Sequence, residues 1–140
     1  MPIWSMQVTA QLLNDRGKNT MAERIGIEIT EVGENFLRGT MPVDPRTKQP
    51  IGLLHGGASA AFAETLASTA ANVAVDPSKE YCVGLEINAN HISSVREGVV
   101  IGTTTPIHLG RSTQVWETRI TQGEKLICIS RMTLAVLKRG

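Results

Sequence analysis

Between Lys48 and Asp76 the chain reads Gln49-Pro-Ile-Gly-Leu-Leu-His-Gly-Gly-Ala-Ser-Ala-Ala-Phe-Ala-Glu-Thr-Leu-Ala-Ser-Thr-Ala-Ala-Asn-Val-Ala-Val75, and within it one side chain, Glu64, is formally charged at neutral pH. Ala dominates from Ala58 onward, no Pro interrupts, and Asp76-Pro77 supplies a stop, so the pattern predicts a helix that begins just after His55. Ala58, Ala61, Phe62 and Leu66 make one stripe of it, while Ala60, Ala63, Ala67 and Ala71 cover most of the rest. A helix that is small and apolar all round is expected to be enclosed by other elements. His55, Ser59, Glu64, Thr65 and Ser68 interrupt the run too often for a membrane span.

A lone carboxylate in such a helix needs a reason. Burial raises the pKa of an unpartnered carboxylate, and groups tuned in this way mark functional sites, which makes Glu64 a candidate catalyst. The plain alternative is that Glu64 lies on a narrow exposed strip and does nothing. Ser68 follows at i+4, on the same face and within reach of a hydrogen bond or a shared water. At the other end His55-Gly56-Gly57 meets the helix N-terminus, where free N–H groups and the positive end of the dipole favour an anion. Gly-Gly before a helix is by itself an ordinary turn. Together with a histidine and an unexplained carboxylate, it points to a site that handles a carbonyl.

The chain has 140 residues, enough for one domain with a core that needs neither disulfide nor metal. A formal net charge of +1, with both signs interspersed, gives no broad field for nucleic acid. Cys82 and Cys128 lie far apart without paired spacing, which fits reduced core cysteines. With no signal-peptide-like opening and no lipidation motif, a cytoplasmic location is the expectation.

Ahead of the helix, Thr9 to Asn14 reads as a short helix and Asp15 to Asn19 as a polar turn, with Ile3 and Trp4 packing onto the domain. Ile25, Ile27 and Ile29 alternate as in a half-buried strand, and Gly33 turns the chain into a second arm, Phe36 to Val43. Asp44 to Pro50 is a polar loop, ordered by its two prolines. After the helix, Val83, Leu85 and Ile87 alternate within a strand from Tyr81 to Asn90. Strands at about Val99 to Ile107, Thr113 to Ile120 and Lys125 to Leu137 follow, the last two joined at Gln122-Gly123. The order predicts an α+β domain, an antiparallel sheet curled around one central helix. His55, His91 and His108 lack the spacing of a metal site, and no phosphate loop, nucleophile elbow or zinc signature is present.

Gly52-Leu-Leu-His-Gly-Gly-Ala-Ser59 with Glu64, then Gly84-Leu-Glu-Ile-Asn-Ala-Asn-His91 and His108-Leu-Gly110, resemble the hotdog-fold acyl-CoA thioesterases. The likeness runs nearly end to end, through Met41-Pro-Val-Asp44, Arg46-Thr-Lys-Gln-Pro50 and Gln114-Val-Trp116. Within that family it is strongest to the bacterial thioesterases acting on 1,4-dihydroxy-2-naphthoyl-CoA in menaquinone synthesis, and to the paralogue that clears misloaded aryl carrier proteins in enterobactin synthesis. The resemblance implies hydrolysis of aromatic or fatty acyl-CoA thioesters, in which the Gly56 N–H polarises the thioester carbonyl and Glu64 attacks it or activates water. Gln49 and Ser68 would position the reactants, and His55 would orient the carbonyl. It also implies coenzyme A contacts at Gly84, His91, Ile92, Ser93 and Ser94, and at His108, Leu109, Gly110, Arg111, Ser112 and Thr113. Ser93 stands where an arginine is expected, with Arg96 or Arg111 available to compensate.

On this reading neither metal nor redox cofactor is called for, coenzyme A being part of the substrate; an acyl or aryl carrier protein is a further possible partner, and nucleic acid and membrane are not. Two other readings stand beside it: a hotdog-fold dehydratase or hydratase, and a binding module for acyl-CoA or carrier protein without turnover. Helix geometry adds one expectation. Gly56 and Glu64 are eight residues, roughly 12 Å, apart along the axis, too far to meet one carbonyl. If both act on it, they come from antiparallel copies of the helix across a two-fold axis. The resemblance agrees, implying a homodimer with shared sites, assembled into a homotetramer.

Overall fold

A computed structural model describes residues 1–140. Thr9 opens the first helix, α1 (Ala10–Arg16), its hydroxyl accepting from the Leu12 N–H at 3.1 Å. A one-turn helix, α2 (Met21–Arg24), follows the polar Asp15 to Asn19 turn, in a stretch to which the sequence pattern assigns no element. The expected Ile25–Ile27–Ile29 strand is shorter than its alternation. Ile25 closes α2, and Gly26 adopts φ +79° with the Pro42 ring packed where a side chain would start. Strand β1 (Glu28–Val32) therefore begins three residues later than Ile25, and of the three isoleucines only Ile29 is fully buried.

The chain then turns at Gly33 into β2 (Leu37–Pro42) and passes through a loop to the long helix α3 (Gly56–Ala74). Strands β3 (Glu80–His91), β4 (Val99–Leu109), β5 (Thr113–Gln122) and β6 (Lys125–Lys138) complete one sheet of order β1-β2-β4-β5-β6-β3, with every neighbouring pair antiparallel. The sheet wraps α3, as expected. No helix is long and apolar enough to cross a membrane.

Phe62, Ala63, Leu66, Ala67, Ala70 and Ala71 face the sheet and are buried against Leu37, Met41, Val100, Trp116, Ile120 and Leu134. Close approach depends on two glycines paired across β2 and β4, Gly39 and Gly102. A Cβ on Gly102 would come within 2.6 Å of Leu66 and 2.9 Å of Phe62. Fully burying side chains of that size contributes about 1.5–3 kcal/mol each, so the glycines stabilise the fold through what they let in. Trp4 stacks on Trp116 at 6.3 Å and donates its indole N–H to the Gly33 carbonyl, fixing the N-terminal segment.

Three expectations need correction. The 44–50 loop is held by Thr47 rather than by its prolines: Pro45 and Pro50 are exposed, whereas Thr47 is buried and donates its hydroxyl to the Pro42 carbonyl at 2.7 Å. The α3 helix is not enclosed all round, because Gly57 and Glu64 are exposed and Ala60, Ala61, Thr65 and Ser68 only partly covered. The alternation in β3 does not mark a half-buried strand either. As the edge of the sheet, with a bulge between Gly84 and Glu86, it leaves Val83 at 40% and Leu85 at 62% exposure.

Candidate active site

The loop before α3 delivers a polarised helix end. His55 is the N-cap, with extended backbone (φ −67°, ψ 130°), and its Nδ1 accepts from the Gly57 N–H at 2.8 Å. A ring nitrogen that accepts carries no proton, so the neutral imidazole holds its proton on Nε2. The His55 carbonyl takes the N–H groups of Ala58 and Ser59. Of the four N–H groups that a helix start leaves open, only that of Gly56 then has no partner.

That N–H borders a cavity of about 310 Å³ walled by Gln49, Leu53, Leu54, Gly56, Ser59, His91, Ile92, Ser93, Ser94 and Ile127. The walls are stitched together by backbone: Leu54 donates to Val95 at 2.8 Å, and Ile92 donates to Ile127 at 2.8 Å. The His91 ring lies against Gly56, where a Cβ would fall 2.9 Å from Nε2. Gln49 is oriented by its own turn, its Oε1 accepting from the Ile51 N–H at 2.6 Å. Since that end must be the oxygen, the NH2 end is the free donor. Leu53, Leu54, Ser59 and Ile127 carried no signal in the sequence beyond being ordinary wall residues.

Glu64 and Ser68 lie elsewhere. They line a groove of about 610 Å³ on the uncovered face of α3, with Gly57, Ala60, Ala61, Thr65 and Thr69 on the helix and Thr20 to Ala22 opposite. Glu64 is exposed. Its carboxylate projects over β3, an added Cβ on Gly84 falling 3.4 Å from Oε2; the tighter neighbour of that glycine is Met132, whose Cε would lie 2.7 Å from the same Cβ. No hydrogen bond joins Ser68 to Glu64. Past Ser68 the groove runs on into a second chamber of about 600 Å³ under α1 and α2, where Asn14, Arg16, Lys18, Thr69 and Asn72 join Leu13, Ile27, Ile29 and Val73. Asn72, the one amide side chain in α3, was missed as a structural residue: it takes the Cys82 N–H at 2.8 Å and donates to the Cys82 carbonyl, clamping the helix to β3.

Comparison with known proteins gives the chain its family. Residues 51–129 match the thioesterase superfamily. The chain belongs to that superfamily. It is 46% identical to the 1,4-dihydroxy-2-naphthoyl-CoA hydrolase of Escherichia coli strain K12, over 96% of this chain and 98% of that protein. It is 47% identical to the proofreading thioesterase EntH of Cronobacter turicensis, again over 96% and 98%. The crystal structure of a Q49A mutant of thioesterase PA1618 from Pseudomonas aeruginosa superimposes with a TM-score of 0.96 at 43% identity, covering 98% of this chain and 99% of that one. The protein is a hotdog-fold thioesterase, a thioester hydrolase.

Within one chain of this thioesterase the proposed coenzyme A contacts fall into two places. His91 to Ser94 belong to the Gly56 cavity. His108 to Thr113 form the β4–β5 turn, where Gly110 donates to the Thr113 carbonyl and the His108 ring folds over Gly110. Thr113 pairs with Ala135 and His91 with Cys128, so seven residues of β6, roughly 23 Å, separate the two groups along the sheet. Gly84 goes with the turn end, beneath Glu64. Both cysteines are buried, and burial pushes the Cys82 thiol up to about 11 and raises that of Cys128, so neither is a thiolate nucleophile at neutral pH.

Proposed function

We propose that this thioesterase hydrolyses acyl-CoA thioesters, with an aromatic acyl group and 1,4-dihydroxy-2-naphthoyl-CoA as the favoured case, at sites shared between two copies of the chain. The single unpartnered N–H of the α3 start, that of Gly56, carries this reading. Donors aimed at a developing oxyanion are the largest contribution to acyl transfer, and here the cap has consumed every competing donor. The carbonyl oxygen takes the Gly56 N–H, Gln49 offers its NH2, and Glu64 from the other copy supplies the carboxylate, as nucleophile or as general base. As nucleophile, Glu64 forms a mixed anhydride as the C–S bond breaks and the coenzyme A thiolate leaves, and water then cleaves the anhydride to the free acid and the carboxylate. As general base, it takes a proton from the attacking water and passes it to the leaving thiolate. Neither route needs a metal or redox cofactor.

The separation of the two halves favours the dimer. Gly56 and Glu64 open into different recesses of one chain, and between them runs β3, whose outer edge is unpaired and whose Val83 and Leu85 are bare. A second copy placed there by a two-fold axis would cover the apolar residues and bring its Glu64 and Ser68 toward this Gly56. Such dimers would assemble into a homotetramer in the cytoplasm, with acyl or aryl carrier proteins as further thioester donors.

The chamber beyond Ser68 offers room for the acyl group: Asn14, Thr65, Thr69 and Asn72 stand there beside a few aliphatic residues, and Asn14, Thr65 and Asn72 are already paired with this chain's own backbone. The name of the Escherichia coli relative favours the aromatic acyl group, and would place this chain in menaquinone synthesis. The hydratase reading fits less well, because it needs an acid–base pair at the carbons next to the carbonyl and the His55 Nδ1 is occupied by the helix cap. Release of free thiol from a panel of acyl-CoA esters tests the proposal. Turnover should be highest on hydroxylated aromatic esters; tight binding without thiol release from any of them would leave only a binding module.

A further inference from the structure

The segment that faces α3 across the Glu64 groove is held only by itself. From Lys18 to Arg24 only Ala22 is even partly covered, and α2 buries none of its side chains. The hydrogen bonds of this segment stay local. Thr20 donates its hydroxyl to the Gly17 carbonyl at 2.6 Å, Glu23 accepts from the Asn19 N–H at 3.1 Å, and the backbone bonds run among residues 13–27. No hydrogen bond ties it to α3 or to the sheet, whereas both flanks are fixed. Asn14 takes the Ile29 N–H at 2.7 Å and donates to the Ile29 carbonyl at 2.9 Å, and the Pro42 ring packs on Gly26. Between these anchors lies Asn19, at φ 63° the one non-glycine residue of the chain in the left-handed region. The segment roofs the place where the two recesses of α3 meet. Thr20 and Ala22 line both the Glu64 groove and the chamber beyond Ser68, and Met21 lines the groove with 61% exposure. A large apolar side chain left this open contributes little to the fold of the free chain.

We propose that residues 18–24 form a flap that lifts to admit the acyl group and then closes Met21 over it, so that Met21 takes part in selecting the acyl group. The inference rests on the acyl-CoA reading above, which puts the acyl group in this groove, and adds the element that moves and the side chain that selects. Segments with few buried apolar contacts and solvent-exposed backbone hydrogen bonds open at little cost in free energy. Methionine, unbranched and with a polarisable thioether, fits groups of different outline and packs well at the edge of an aromatic ring. Closure removes apolar surface of both the side chain and the acyl group from water, so the closed state is favoured only when an acyl group is present.

Hydrogen exchange followed by mass spectrometry tests the motion on the whole protein. Amides of residues 18–26 should exchange faster than those of α3, and a 2-naphthoyl-CoA analogue with CH2 in place of sulfur should slow them about tenfold, while coenzyme A alone leaves them unchanged. Slow exchange in the free protein would show that the segment is pinned, by a second copy or otherwise. No slowing by the analogue, or equal slowing by coenzyme A alone, would show that the acyl group does not close it. Any of these overturns the flap. Selection is read from turnover. Met21→Ala should lower kcat/KM for 2-naphthoyl-CoA about tenfold more than for butanoyl-CoA, whose short chain offers Met21 little to cover, and Met21→Leu should restore most of the difference. An unchanged ratio between the two esters overturns the role of Met21. If no acyl-CoA ester released thiol, the hydrolysis reading would fall, and selection by Met21 with it, whereas normal turnover with unprotected amides strikes the flap alone.

Discussion

The two ends of the α3 active face are built differently. Around Gly56 the chain itself fixes the polar groups in place: His55 caps Gly57, Gln49 is turned by Ile51, and the walls are joined by backbone hydrogen bonds. Around Glu64 it fixes almost nothing. The carboxylate is exposed, makes no ion pair, and looks across an open groove and a bare sheet edge. A preorganised donor must be rigid before the charge develops, which one chain can arrange alone. A reacting carboxylate has to meet its substrate, and on the proposed reading a second chain brings it to the donor.

Glu64 gives the largest expected effect. Glu64→Ala or Glu64→Gln should lower kcat by about a hundredfold to ten-thousandfold, the range that a carboxylate acting in the transition state contributes. Because the side chain is exposed and unpaired, thermal stability should move by no more than about 0.5 kcal/mol, and coenzyme A affinity should hold. Near wild-type turnover in Glu64→Ala would remove the carboxylate from the mechanism.

Gly56 permits a sharper cut. Its position is the first of the helix, and His55 already has the extended backbone that a following proline demands, so Gly56→Pro should fold while deleting the one free N–H. Gly56→Ala keeps that N–H but places the same Cβ against His91. Turnover of the proline variant should fall below that of the alanine variant by about a hundredfold to a thousandfold. Equal activity in the two would show that crowding of His91, not the donor, is what the site feels.

Mixing breaks or confirms the division between chains. Glu64→Ala and Gly56→Pro, unfolded together in equal amounts and refolded, should give half mixed dimers, each with one intact and one doubly altered site. About a quarter of wild-type activity should return from two inactive proteins. A site contained in one chain would recover none.

The same contrast explains what could be read from the sequence. The succession of strands, the start of α3 and its His55-Gly56 terminus depend on local periodicity and on capping, which neighbouring residues express directly. Expecting Glu64 to be buried and β3 half-buried failed for one reason: Ala60, Ala61, Val83 and Leu85 are apolar as if covered, and their own chain leaves the first two partly and the last two largely open. Composition records that a surface is to be buried without saying by what. Asn72 and Thr47 escaped notice because a clamp on a distant or irregular backbone segment leaves no periodic trace, although a lone amide in an alanine helix was a usable hint.

His55 offers the smallest effect and tests how far the Gly56 half is structural. Resemblance gives it the role of orienting the carbonyl, yet its Nδ1 is engaged as a helix cap, leaving only the Nε2–H to face a ligand. Loss of a side-chain cap costs about 1 kcal/mol, which in a domain of this size lowers Tm by a few degrees. His55→Ala should show that loss together with a fall in kcat, since the freed Gly57 N–H competes with Gly56 for the oxyanion. His55→Asn keeps a cap acceptor without the imidazole and separates the two roles. Recovery of both Tm and kcat in the asparagine variant would make His55 a cap that serves catalysis only by leaving Gly56 as the single open donor. Recovery of Tm alone would show that the Nε2–H acts on the substrate as well.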